Sequence, residues 1–142
     1  MPLTNFGAIL SLAGEIEKQD EAFYMALMDS PQCSGHKELF GQFVKDSGKN
    51  GKNIERTRRE NVTEMILENI EGFDREPFLL DGGDASVLDE HSALEAARKR
   101  EARAERYYLE ASAKLKALSE VSRTLKSIAK KHGARIRKLA EI

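Results

Sequence analysis

Two glutamates, each followed seven residues later by a tyrosine, are the residues of this chain whose types and spacing could support chemistry. Glu17 and Tyr24 recur 84 residues later as Glu101 and Tyr108, in segments with helical periodicity. Positions i and i+7 of a helix lie on one face, two turns apart. A carboxylate on an otherwise apolar or small-residue stripe must be compensated when it is buried. The repeat therefore predicts one shared polar site inside a helical bundle.

Four helices must position these residues. Apolar spacing predicts them over about 4–29, 36–70, 89–118 and 119–140, with Thr4 and Ser119 as candidate N-caps. Gly48 and Gly51 predict a kink or a close helix contact in the second helix. Residues 71–88 show no helical pattern and are long enough to cross the outside of a bundle. The four predicted helices are joined by a short link, a long crossover and a second short link. This order predicts an all-α fold of two helical hairpins joined by the crossover.

In these residues and their spacing, the chain resembles the ferritin-like superfamily and, within it, the rubrerythrin-like branch. In that branch, helices one and three carry a Glu followed seven residues later by Tyr, as in Glu17–Tyr24 and Glu101–Tyr108. Helices two and four carry Phe-x-x-Leu-Ala-x-x-Glu-x-x-His, in which Glu and His ligate a di-iron centre. The resemblance covers almost the whole chain. It implies a single ferritin-like four-helix bundle domain over residues 1–142, with a crossover at about 71–88, and a homodimer.

The sequence departs from the family motif on helices two and four. Ser47 and Asn50 stand at the Glu and His positions of helix two, and His132 and Arg135 stand at those of helix four. A di-iron site needs several carboxylates and imidazoles, so the resemblance implies a degenerate site. Arg135 carries a permanent charge that suits carboxylates. We therefore predict a central polar network made of Glu17, Glu101, His132, Arg135, Ser47, Asn50, Tyr24 and Tyr108.

Two readings of this site stay open, besides a bland one in which both glutamates lie on a solvated polar face. In the first, the chain is a structural or interaction module with no catalytic residue and no cofactor. In the second, Glu17, Glu101 and His132 hold one Fe, Mn or Zn ion, with Asp20 as a further ligand. The resemblance then implies a metal-dependent oxidoreductase or a peroxide-handling protein. Asp20 could alternatively pair with Arg135.

Charge is distributed unevenly along the chain. Residues 1–97 hold 9 Lys/Arg and 19 Asp/Glu, whereas residues 98–142 hold 14 Lys/Arg and 5 Asp/Glu. Binding of nucleic acid or an acidic protein by the basic part is a third hypothesis. Nucleic acid is disfavoured as a partner because four glutamates are interleaved with the cations: Glu101, Glu105, Glu110 and Glu120.

The composition also gives expectations about cellular location and membrane association. No apolar run approaches the ~20 residues that a membrane span needs. The chain has a single cysteine, Cys33, and its first residues lack the pattern of a secretory signal. These features predict a cytoplasmic protein without a membrane partner.

Overall fold

The computed structural model describes residues 5–61, 70, 72–80 and 85–142. Within them the long helices are α1 (Phe6–Met28), α2 (Lys37–Glu60), α3 (Glu90–Lys114) and α4 (Ser119–Ala140). Short 3₁₀ turns occur at Pro31–His36, Glu76–Phe78 and Ala85–Val87. The prediction of an all-α protein with four long helices is confirmed for this part of the chain. None of the described helices combines the length and apolarity that crossing a bilayer requires.

Side-chain caps define two of the helix starts. The Asn5 side chain accepts a hydrogen bond from the Ala8 N–H at 2.8 Å, and the Asp89 side chain accepts one from the Ser92 N–H at 2.8 Å. Each bond satisfies a backbone donor that has no partner within the helix. Thr4, the predicted cap of α1, lies outside the described residues. Ser119 was predicted to cap α4, which is wrong because Ser119 is already the first helical residue.

One predicted helix end differs, and another falls in a part of the chain that the structure does not describe. The described part of α2 ends at Glu60, and the predicted continuation over residues 62–69 lies outside the described residues. Helix α3 ends at Lys114 rather than near residue 118. Propensity alone places helix ends poorly because the final turn depends on tertiary contacts.

The predicted kink or close contact at the glycines of α2 is wrong. Helix α2 is continuous from Lys37 to Glu60. A Cβ atom added to Gly51 would meet nothing within 4 Å, and one on Gly48 would meet only the Glu21 carboxylate at 3.6 Å. The glycines instead line a groove of about 440 Å³ between α1 and α2, at whose edge Glu17 lies.

The helices form two antiparallel hairpins, α1 with α2 and α3 with α4. Between the hairpins, Tyr24 bonds to Glu101 while Tyr108 bonds to Glu17, so α1 and α3 run antiparallel. Helix α4 reaches α2 through the hydrogen bond from Arg135 to Ser47. It follows that α2 and α4 are antiparallel neighbours on the opposite side of the bundle from α1 and α3.

The interior has two apolar clusters with polar residues between them. One cluster joins the N-terminal part of α1 to the C-terminal part of α3 and the N-terminal part of α4. It includes Phe6, Leu10, Tyr107 and Ile128. The other joins the opposite end of α1 to α2 and the start of α3, and its largest side chains are Phe23, Tyr24, Phe40 and Phe43. Tyr24 and Tyr108 belong to different clusters, and each points its hydroxyl group into the layer between them.

Candidate functional site

The two glutamates of the repeat meet in the centre of the bundle. Glu17 on α1 and Glu101 on α3 are 1% and 0% exposed, which excludes the alternative of a solvated polar face. Ser47, Asn50, His132 and Arg135 are 3% exposed or less, and all of them contact this centre. The predicted central network is therefore present in the structure.

His132 bridges the two carboxylates. Its Nδ1 lies 2.5 Å from Glu101 Oε2, and its Nε2 lies 2.8 Å from Glu17 Oε2. With both carboxylates ionised, each only accepts hydrogen bonds, so both ring nitrogens then donate and the ring is an imidazolium. Burial by itself lowers the pKa of His132, but the charges and hydrogen bonds of the two glutamates outweigh it and raise that pKa to about 10.

Arg135 supplies the second cation. Its Nη1 donates to Glu101 Oε1 at 3.1 Å, and its Nη2 donates to Ser47 Oγ at 3.0 Å and to the Phe43 carbonyl oxygen at 3.3 Å. Burial would raise the pKa of Glu101, but the hydrogen bond and charge of His132 and the charge of Arg135 hold it below its ordinary value. Glu101 is consequently ionised although it is fully buried.

Neutral donors complete the shell of the carboxylates. Tyr108 donates to Glu17 Oε2 at 2.6 Å, and Asn50 Nδ2 donates to Glu17 Oε1 at 3.1 Å. Tyr24 donates to Glu101 Oε1 at 2.7 Å. The pKa of Glu17 is lowered, because attraction to His132 and these hydrogen bonds exceed the opposing effect of burial.

The charges of this group cancel. Two carboxylates, one imidazolium and one guanidinium sum to zero, and each of the four carboxylate oxygens has at least one donor. We call this group the central network: Glu17, Glu101, His132, Arg135, Ser47, Asn50, Tyr24 and Tyr108. It meets the general condition for burying ionised groups, which is pairing together with hydrogen bonding.

Asp20 lies one helical turn from Glu17 and has different partners. Its Oδ1 contacts Arg103 Nη2 at 3.1 Å and Arg100 Nη1 at 3.6 Å, so the expected pairing with Arg135 is replaced by pairing with α3. Its Oδ2 is buried and has no hydrogen-bond partner. Burial and repulsion from Glu101 raise the pKa of Asp20 to about 7, despite the attraction of Arg103.

Arg103 is the buried residue that sequence reasoning missed. It is 7% exposed and also donates to the Phe78 carbonyl oxygen at 3.4 Å, which ties the crossover to α3. Asp20 on an apolar face signals that some cation must approach it. Helix α3 carries several arginines close together in the sequence, however. Only the rotation of α3 in the bundle determines that Arg103 pairs with Asp20.

A set of possible metal ligands lies at the same place. One ligand atom each from Asp20, Glu101 and His132 falls within 4.8 Å of the others, and all three residues are buried. The set differs from the one expected from the sequence, because Asp20 takes the place of Glu17. A carboxylate and imidazole shell of this type suits Fe, Mn or Zn, although a metal would have to displace the proton and hydrogen bond of one His132 nitrogen.

Comparisons of the chain with protein-family models, with curated proteins and with solved structures found no match.

Proposed function

We propose that this chain is a ferritin-like bundle in which a neutral ion-pair network replaces the di-iron centre, and that it acts as a structural or interaction module without catalysis of its own. The observation that carries the proposal is the position of Arg135. Its guanidinium contacts Glu101 at 3.1 Å and fills the side of the centre where the family motif has a histidine ligand.

Charge balance supports this proposal. A di-iron centre uses its cations to offset the buried carboxylates. Here His132 and Arg135 offset Glu17 and Glu101 with no further cation. Arginine keeps its charge at all ordinary pH values, so a divalent ion could enter only if the guanidinium moved away.

The remaining family positions favour the same conclusion. Ser47 and Asn50 stand where the resemblance expects Glu and His, and each makes a hydrogen bond that suits its neutral side chain. Ser47 accepts from Arg135, and Asn50 donates to Glu17. These two residues therefore serve the ion pairs as neutral partners, whereas a di-iron site would need a carboxylate and an imidazole there.

A second candidate is favoured by one observation, the unpartnered Oδ2 of Asp20. Asp20, Glu101 and His132 could hold a single Fe, Mn or Zn ion. Burial and repulsion from Glu101 raise the pKa of Asp20 to about 7, and a cation bound at Oδ2 would favour its ionised form. The chain would then be a metal-binding oxidoreductase or a peroxide-handling protein. The groove between α1 and α2 provides a route from solvent to the neighbourhood of Glu17.

Metal analysis separates the two candidates. Protein purified without chelator is challenged with Fe(II), Mn(II) and Zn(II), desalted, and measured by inductively coupled plasma mass spectrometry. The first proposal expects far less than one metal per chain under every loading. About one metal per chain in the unmodified protein would overturn it.

Matched variants identify the ligands if metal is found. Asp20→Asn and Glu17→Gln remove one charge each from neighbouring turns of α1. The second candidate expects loss of metal in Asp20→Asn and retention in Glu17→Gln, because Glu17 is outside the ligand set. Loss in neither variant would overturn the second candidate.

A further inference from the structure

Many exposed cations lie on two helices, α2 and α4, that are far apart in the sequence and adjacent in the fold. Helix α2 lies in the acidic part of the chain, yet its exposed outer side carries a row of five cations with helical spacing: Lys45, Lys49, Lys52, Arg56 and Arg59. The exposed side of α4 carries six: Arg123, Lys126, Lys130, Lys131, Arg137 and Lys138. Helices α2 and α4 are neighbours in the bundle, so the two rows lie on adjacent helices. We call them together the α2/α4 basic face.

Of the four glutamates that are interleaved with the cations in the sequence, three lie on α3 and only Glu120 lies on α4. Glu101 is buried in the central network, and Glu105 turns toward the seam between α3 and α4, where it lies against Gly133. The exposed acids at α4 are Glu120, in its first turn, and Glu141, which follows its last residue. The acids of α2 near its row are Asp46, Glu55 and Glu60, fewer than the cations.

Most of these cations have no ion-pair partner among the described residues. Arg56 contacts Glu60 at 3.9 Å, and the other members of the face form no ion pair with any residue in the described ranges. A shallow hollow on α2 is lined by Lys49, Lys52, Arg56 and Arg59, together with Asn53 and Glu55. Rows of unpaired like charge raise the local positive potential and attract a polyanion.

We infer that the α2/α4 basic face binds the phosphate backbone of a nucleic acid duplex without reading its sequence. Arg123 and Lys138 are fifteen residues apart, so the α4 row extends over about 22 Å of helix. A duplex carries one negative charge per roughly 1.7 Å of its axis and can therefore meet cations along the whole row. Lysine, the commoner cation here, contacts phosphate as a point charge and reads no base.

Other anionic partners fit this face less well. A protein interface usually has an apolar or aromatic core, and the large exposed hydrophobic residues of the described chain all lie outside α2 and α4: Met25, Leu79, Val87, Leu109 and Ile142. A membrane-surface helix inserts its apolar side into the lipid, but the apolar side of α4, with Leu125 and Ile128, is buried in the bundle. Interfaces with DNA are polar and strongly positive, as this face is.

The absence of stacking residues favours a duplex over a single strand. The aromatic residues of α2, Phe40 and Phe43, are buried, and α4 contains no Phe, Tyr or Trp. Binding to single strands typically relies on aromatic platforms for the bases.

Fluorescence anisotropy with a labelled duplex of about 20 base pairs and arbitrary sequence tests the inference on the full chain. We expect binding at about 50 mM salt that weakens by about 100-fold or more at about 200 mM, as release of counterions from several phosphates requires. No binding at the lower salt would overturn the inference. Binding to phosphatidylserine vesicles but not to the duplex, or equal affinity for poly-L-glutamate, would also overturn it.

Charge reversal locates the contact. Lys126→Glu/Lys130→Glu on α4 and Lys49→Glu/Lys52→Glu on α2 should each weaken duplex binding by about 10-fold or more. Lys99→Glu/Lys116→Glu changes the net charge equally at exposed positions of α3 and of the turn that follows it, and should weaken it much less. Equal losses in all three variants would show that net charge rather than this face governs binding. Circular dichroism of each variant checks that the helices are retained.

Discussion

Two carboxylates one helical turn apart on α1 have opposite properties. Glu17 and Asp20 are 1% and 0% exposed, so burial does not distinguish them. Glu17 receives hydrogen bonds from His132, Tyr108 and Asn50, and its pKa is lowered. Asp20 has contacts to Arg103 and Arg100 through one oxygen only, and its pKa is raised to about 7. This difference indicates that the number and direction of the hydrogen-bond donors, more than the extent of burial, determine whether a buried carboxyl group stays ionised.

The central network and the Asp20 pair also differ in how completely their polar atoms are paired. We call the central network closed because its charges cancel and its carboxylate oxygens all have donors, although Asn50 Oδ1 and Arg135 Nε have no hydrogen-bond partner. The Asp20 pair remains open at a carboxylate oxygen, Oδ2, and Arg103 Nε also lacks a partner. A buried ion pair is weak evidence of net stabilisation, but removal of one partner leaves an uncompensated charge and is costly.

The largest effect is expected from removing the cation of the closed network. Arg135→Met keeps much of the side-chain length but leaves Glu101 with less positive charge, and it should lower the free energy of unfolding by about 3–5 kcal/mol. Urea denaturation measures this change. Arg137→Met, at an exposed position two residues away, should change stability by less than about 0.5 kcal/mol. Similar effects of the two variants would contradict a special role of Arg135.

Removing the charge of the open carboxylate should have a smaller and opposite effect at high pH. The raised pKa of Asp20 means that the unfolded chain ionises first as pH rises, so this group destabilises the fold progressively between about pH 4 and pH 7. At pH 8, Asp20→Asn should therefore be stabilising, or neutral within about 1 kcal/mol if the loss of attraction to Arg103 offsets the gain.

The pH dependence of the Asp20→Asn effect provides its control. At about pH 4 the carboxyl group is protonated in the folded protein and begins to ionise only in the unfolded chain, so the advantage of the variant should be smaller than at pH 8. Denaturation curves at both pH values measure the difference. An advantage that is the same at both, or a loss of several kcal/mol at pH 8, would contradict the contrast between Asp20 and Glu17.

The smallest effect is expected from a single neutral donor. Tyr108→Phe removes the hydrogen bond to Glu17 and keeps the ring that stacks on His132 at 5.4 Å between centroids. Because Asn50 and His132 remain as donors, we expect a loss of about 1–2 kcal/mol, typical of a hydrogen bond to a charged group. Thermal denaturation measures it. An effect as large as that of Arg135→Met would show that the donors do not act separately.

The repeat and helix periodicity predicted that Glu17 and Glu101 meet in the centre, whereas His132 and Arg135 were assigned to it from the resemblance to the family motif. The structure brings these four side chains together. Periodicity does not determine how one helix is rotated against another. The pairing of Asp20 with Arg103 depends on that rotation.

Several expectations stay predictions. The ferritin-like relationship, a homodimer and a cytoplasmic location rest on the resemblance and the composition alone. Sedimentation velocity on the purified chain would test the dimer directly.

The protonation state of His132 tests the central claim most directly. The neutrality of the central network requires an imidazolium, and the raised pKa of His132, about 10, predicts that both nitrogens keep their protons well above the ordinary range of histidine. Ring ¹⁵N chemical shifts measured by NMR at about pH 8 report this state, and loss of the signal in His132→Gln distinguishes it from His36 and His91. Two protonated nitrogens on His132 at this pH are the predicted result. A neutral ring with one free nitrogen would contradict the account and would leave a lone pair available to a metal.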